Sequence, residues 1–166
     1  MNYTIEKMKE FDWNDVVTIY LEGINTGIAT FQNSIPTFEE WNNGHINSCR
    51  LVAKSKEKVL GFAALSATSS RPVYSGVAEV SIYIGKNHRG LGIGQSLMMS
   101  LIKLSEENNF WTLQSGIIRE NISSIRLHKK CGFREIGIRE KVAKMDTGKW
   151  HDTVLMERRS KIVGIN

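Results

Sequence analysis

Between Arg89 and Gly94 the chain reads Arg-Gly-Leu-Gly-Ile-Gly, where a β-type run, Val80-Ser81-Ile82-Tyr83-Ile84, gives way to a helical pattern. A helix start leaves its first N–H groups unpaired and carries the positive end of the helix dipole. Where glycines clear away side chains, such a start can cradle phosphate oxygens. Arg89, Gly90, Leu91, Gly92, Ile93, Gly94 and Gln95 are therefore a candidate phosphate loop. Spacing excludes two common forms: a mononucleotide loop ends in Gly-Lys-Ser/Thr, and a dinucleotide fingerprint needs a glycine where this chain has Gln95. Cys49 and Cys131 stand far apart with no Cys-x-x-Cys or Cys/His grouping, so neither a disulfide framework nor a metal site is indicated. A cysteine nucleophile is also disfavoured: Cys131 falls at a helix C-terminus, whose dipole opposes a thiolate, and nothing places a base beside Cys49.

The elements that must position this loop can be read in order. Tyr3–Lys7 reads as a short strand, and Asp12 as the cap of a helix with apolar residues Trp13, Val16, Val17, Tyr20 and Ile24 at helical spacing. A loop, Gly27–Gln32, then leads to a capping-box start at Thr37-x-x-Glu40 for a second helix reaching about Ile46. Leu51–Lys54 and Val59–Leu65 read as an antiparallel hairpin. A polar loop, Ser69–Gly76, follows, in which Pro72 argues against helix, and the central strand starts at Val77. The loop helix runs from Gly92 to about Asn108 and buries Leu97, Leu101 and Leu104. Trp111–Ile117 then forms a strand parallel to the central one. A further helix from Asn121 ends at Gly132 in a left-handed cap, and strands at about Arg134–Val142 and Trp150–Glu157 flank a turn at Asp146–Lys149. The expected class is α+β (an α/β mixed sheet), with helices on both faces and one domain over residues 1–166.

Composition sets outer bounds. The chain is long enough to bury a core, and 41% hydrophobic with 23% charged residues is ordinary globular usage. No apolar run approaches the ~18 residues of a membrane span, and Met1–Glu6 lacks a signal-peptide core, so no membrane association and a cytoplasmic location are expected. A net charge of +5 could serve nucleic acid or an anionic ligand. Lys and Arg are spread along the chain without a basic arm or an aromatic RNA-binding motif, which argues against nucleic acid.

Arg89-x-x-Gly92-x-Gly94, preceded by Val80-x-Ile82-Tyr83-Ile84, resembles the pyrophosphate loop of the GCN5-related N-acetyltransferases (GNAT). Asn121-x-x-Ser124-x-x-Leu127-His128-x-x-x-Gly132-Phe133 resembles that family's downstream acetyl-CoA motif. Ala29-Thr30-Phe31, Ala78-Glu79-Val80, Leu127-His128 and Gly148-Lys149-Trp150-His151-Asp152 are similar to its phosphinothricin and methionine sulfone/sulfoximine N-acetyltransferase branch. The resemblance implies acetyl-CoA as co-substrate and a small-molecule amine as acceptor. By the same resemblance, the backbone of Ile82, Tyr83 and Ile84 would pair with the pantetheine arm, and a bulge in their strand would splay it from the Trp111 strand. The glycine loop would hold the pyrophosphate, Asn121 the pantetheine, and Lys130 a phosphate.

For the chemistry, the resemblance implies Glu79 as the base that takes the ammonium proton and the backbone N–H near Ile82 as support for the oxyanion. His128, standing where many relatives have tyrosine, would be either the acid for the departing thiolate or a packed structural histidine. Arg71, in the loop Arg71-Pro72-Val73, would hold an acceptor carboxylate. Phe31 and Tyr74 would wall the acceptor pocket, with Val73, Glu79, Val80 and Ser81 beside it. Gln32 departs from the glutamate of the phosphinothricin enzymes. Three readings stay open at this point: acetylation of a small amino acid or analogue, acetylation of protein N-termini or other amines, and a non-catalytic acetyl-CoA sensor. The branch also implies a homodimer.

Overall fold

The structure, a computed structural model, describes all 166 residues. Its elements are β1 (Thr4–Lys7), α1 (Trp13–Asn25), α2 (Phe38–Gly44), β2 (Arg50–Ser55), β3 (Lys58–Ala67), β4 (Val77–Ile84), α3 (Ile93–Glu107), β5 (Thr112–Ile118), α4 (Ile122–Lys130), β6 (Arg134–Lys144) and β7 (Trp150–Arg159). The seven strands form one sheet in the order β1-β2-β3-β4-β5-β7-β6. β4 and β5 are parallel and every other neighbouring pair is antiparallel, because only α3 supplies a crossover between adjacent strands.

Alternation along β2 and β3 divides the core. Leu51, Ala53, Ala63 and Leu65 face α3 with Leu97, Met98 and Leu101, whereas Val52, Phe62 and Ala64 face α1 and α2 with Val16, Ile19 and Trp41. Helices therefore cover both faces, and β2 and β3 are buried almost throughout. No helix is long and apolar enough to cross a membrane.

The capping box at α2 forms as expected: Thr37 Oγ1 accepts from Glu40 N–H, and the Glu40 carboxylate accepts from Thr37 N–H. Gly132 adopts φ +92°, the left-handed cap after α4. Three local expectations fail. Asp12 stands at the start of α1, but its carboxylate turns inward to the buried Lys54 ammonium at 2.6 Å and to Lys9 N–H, leaving the helix uncapped by its side chain. Pro72 opens a 3-10 turn, Pro72–Tyr74, at the first position, where the missing N–H costs nothing. The bulge expected in β4 is absent, since its register with β3 runs unbroken from Gly61↔Ile84 to Ala67↔Ala78.

Candidate active site

What splits the sheet is the divergence of two intact halves. β4 stays in register with β3, and β5 stays in register with β7 from Thr112↔Arg159 to Ile118↔Thr153. Between them, pairing stops after Val77↔Thr112, Ala78↔Leu113 and Glu79↔Gln114. The gap beyond is a cleft of about 1150 Å³ lined by both strands, the glycine loop, α4 and the segment before α2.

Gly85 N–H bonds Leu60 C=O, so the alternation of an antiparallel ladder ties Tyr83, Ser81 and Glu79 to β3 through their backbones. Ile82 and Ile84 instead turn their N–H and C=O groups into the gap, where the Ile84 carbonyl meets Arg89 Nε at 3.2 Å. Of the expected trio, Ile82 and Ile84 thus present backbone to the cleft. The backbone of Tyr83 is committed to Phe62. The Tyr83 ring packs between Phe62 and Tyr20, and burial pushes its phenol pKa up.

At one end of the cleft Gly90 (φ +75°) and Gly92 (φ +82°) sit in the left-handed region, and a Cβ on either would meet open space. Gly92 stands at the N-cap of α3 with no side-chain cap bond, and the first turn carries no acidic residue. The free N–H groups and dipole there are left to an anion. Gly94 lets α3 approach α4, since a Cβ would lie 3.2 Å from Leu127. Arg89, Gly90, Gly92, Gly94, Gln95, Asn121 and Lys130 line the cleft. Leu91 points outward and the Ile93 side chain is buried, so these two offer only backbone. Asn121 caps α4, its Oδ1 accepting from Ser124 N–H, which leaves its amide N–H groups for the cleft. The polyanion expected of acetyl-CoA fits this loop, and its pantetheine arm fits the backbone edge of Ile82 and Ile84.

At the other end Glu79, the last residue of β4 paired with β5, is exposed and its side chain makes no hydrogen bond or ion pair. Its side chain lies on the α1/α2 face opposite Ser66, with Ser81 beside it. Phe31 also lines the cleft and packs edge-on against the buried His151. Ser81 continues this wall, while Val80, its side chain buried on the α3 face, offers the cleft only backbone.

His128 lies on the α4 wall with 1% of its surface exposed. Its Nδ1 stands 2.7 Å from the Ser124 carbonyl, and Nε2 is sealed from solvent without a partner. Burial lowers its pKa below the ordinary imidazole value, so at neutral pH the ring is neutral, with Nδ1–H donating and a lone pair on Nε2. Burial raises the pKa of both cysteine thiols. Arg71, Val73 and Tyr74 do not line the cleft: the guanidinium lies over the Tyr74 ring on the exposed turn before β4, without an acidic partner.

Sequence reasoning missed much of the acceptor side. Tyr20, Thr30, His45, Ser66, Ser115 and Gly116 also line the cleft. Only Thr30 lay within a motif. Ser66 needs the β3–β4 register to be placed, and Gly116 the divergence of β5.

Comparison with known proteins agrees with this geometry. Residues 13–133 match the family model described as "Acetyltransferase (GNAT) family". The phosphinothricin N-acetyltransferase of Alcaligenes faecalis is 30% identical over 161 residues, covering 93% of this chain and 81% of the relative. The L-methionine sulfoximine/L-methionine sulfone acetyltransferase of Pseudomonas aeruginosa is 29% identical over 100 residues, 60% of this chain and 58% of the relative. Among solved structures, a GNAT superfamily phosphinothricin acetyltransferase from Sinorhizobium meliloti in complex with AcCoA superposes with a TM-score of 0.87 at 28% identity, covering 100% of this chain and 92% of the other. With the strands parted at Glu79 and a glycine loop opening α3 at the far end of the gap, the chain belongs to the GNAT family, in the branch of the phosphinothricin N-acetyltransferases, and is an acetyl-CoA-dependent N-acetyltransferase.

Proposed function

We propose that the acceptor is the free amine of a small amino acid or amino-acid analogue of the phosphinothricin, methionine sulfone or methionine sulfoximine type, acetylated by direct transfer. The carrying observation is the position of Glu79: an unpaired carboxylate at the mouth of the cleft, three residues before the free backbone N–H of Ile82. Acetyl-CoA supplies the activated acyl group. Glu79 takes the first proton from the ammonium, directly or through water, and frees the nitrogen lone pair to attack the thioester carbon. Ile82 N–H supports the oxygen that becomes negative as the C–N bond forms. As the C–S bond breaks, the second proton lost by nitrogen goes to the thiolate, so the step balances without an imidazolium. His128, neutral and held by Ser124, shapes the α4 wall in this scheme.

Arg71 lies outside the cleft, over the Tyr74 ring on the turn leading to β4, so it is given no part in holding the acceptor carboxylate. We also propose a homodimer formed on the β6–β7 hairpin. β6 is an exposed edge strand carrying Ile136, Ile138 and Val142, and Trp150 beside it is 51% exposed. A detoxifying role in the cytoplasm is part of this proposal.

The test is thiol release from acetyl-CoA against phosphinothricin, methionine sulfone, methionine sulfoximine, common amino acids, polyamines and short peptides. The free acids should turn over, with the acetyl group found on their amine nitrogen by product mass. Activity confined to polyamines or peptides overturns the acceptor assignment.

A further inference from the structure

The acceptor side of the cleft has a polar feature with no role in the chemistry above. His45, the C-cap that follows α2, lines the cleft and stacks on Trp41, ring centroids 4.2 Å apart and planes 19° from parallel. Its Nδ1 is 2.7 Å from the Trp41 carbonyl, which fixes the proton on that nitrogen. Its own carbonyl accepts from the buried Arg50 guanidinium, which also bonds the Asn42 carbonyl and side chain, so Trp41 holds the ring and Arg50 the backbone that carries it. Nε2 makes no hydrogen bond and is not sealed from solvent, so the ring, which lines the cleft, keeps one free nitrogen with a lone pair.

The sheet places this residue level with the reacting end. Ile46 N–H bonds the Leu65 carbonyl, so His45 docks beside Ser66, and Ser66 is registered opposite Glu79. Between His45 and Tyr20 the floor is aromatic, with Trp41, Phe62 and Tyr83 in series. This suits the carbon chain of an acceptor whose amine lies at Glu79.

We infer that His45 sets acceptor specificity: its Nε2 accepts a hydrogen bond from a hydroxyl or N–H that the acceptor carries beyond its reacting amine. The inference rests on the small-amine reading of the cleft. A pre-set acceptor nitrogen discriminates between isosteres, because an analogue with oxygen in place of N–H sets two lone pairs against each other.

Methionine sulfoximine and methionine sulfone form such a pair, differing by an imino N–H against an oxygen. The wild type should favour the sulfoximine in kcat/KM by about 2- to 12-fold, the net worth of one hydrogen bond. His45→Phe, which keeps the stacking, should erase the preference and leave KM for acetyl-CoA within about twofold, and His45→Gln should restore part of it. No preference in the wild type, or a preference that survives His45→Phe, overturns the inference while the amine-acetylation reading stands. Failure of the wild type on every amine overturns that reading, and this one with it. Should the variants not fold, the wild type still decides: the His45 Nε2 nitrogen resonance should move on saturation with the sulfoximine, and a fixed resonance refutes the assignment.

Discussion

Replacing Glu79 with glutamine removes the carboxylate and little else. The side chain is exposed, has no hydrogen-bonding or ionic partner, and its backbone remains in the β3 and β4 ladder. The stability change should stay within about 0.5 kcal/mol, as for a surface substitution. Loss of a general base costs about 10²- to 10⁴-fold. Glu79 lies at a wet cleft mouth, where water can partly replace it, so the lower end applies: about 100-fold in kcat/KM for the acceptor, or about 2.7 kcal/mol of transition-state stabilisation. The acetyl-CoA loop is at the opposite end of the cleft, so KM for acetyl-CoA should hold. The deficit should shrink as pH approaches the acceptor amine's own pKa, because free amine then arrives without help. Steady-state thiol release from pH 6 to 9 reads both effects. A variant within about twofold of wild type at neutral pH, with an unchanged pH profile, would refute Glu79 as the base.

Other perturbations reach other parts of the molecule. Gly92→Ala forces an L residue to φ +82° at the α3 N-cap, which should cost about 1–2 kcal/mol of stability and raise KM for acetyl-CoA at least about tenfold, read by thermal melts and initial rates. Gly76→Ala places a methyl about 2.0 Å from the Trp111 ring, while the Gly76 carbonyl is tied to Trp111 and Thr112 N–H. Overpacking of about 1–3 kcal/mol should lower the urea midpoint without changing its slope. Burial lowers the pKa of both His45 and His128, so the unfolded chain binds more protons than the folded one between the folded values and about 6.5. Their contribution is full above about pH 6.5 and is lost as pH falls toward the folded values, and His128→Asn should flatten that slope in urea titrations.

The glycine loop and its helix were legible because their signals are local: Gly90 and Gly92 need positive φ, and Leu97 and Leu101 keep helical spacing. The succession of strands and helices along the chain followed from the same periodicities. Less visible was anything decided by pairing. The free backbone of Ile82 and Ile84, as against the committed Tyr83, depends on which ladder positions bond to β3. The parting of β4 from β5 without a bulge depends on two halves that are each continuous. Asp12 carries a cap's identity in a cap's position, yet a buried lysine across the chain draws its carboxylate away, and no window around residue 12 contains Lys54. Arg71 fitted a carboxylate by chemistry, but the turn at Pro72 directs it over Tyr74.

The most direct test of the account is stoichiometry in one reaction: thiol released from acetyl-CoA bearing an isotopically labelled acetyl group, counted against labelled acetyl on the acceptor by mass spectrometry with fragmentation. Transfer through the β4–β5 cleft to a nitrogen predicts one N-acetylated acceptor per thiol, and an enzyme that carries no label when the acceptor is withheld. Thiol release without an acetylated amine, or label retained on the protein and chased onto acceptor, would contradict direct N-acetylation.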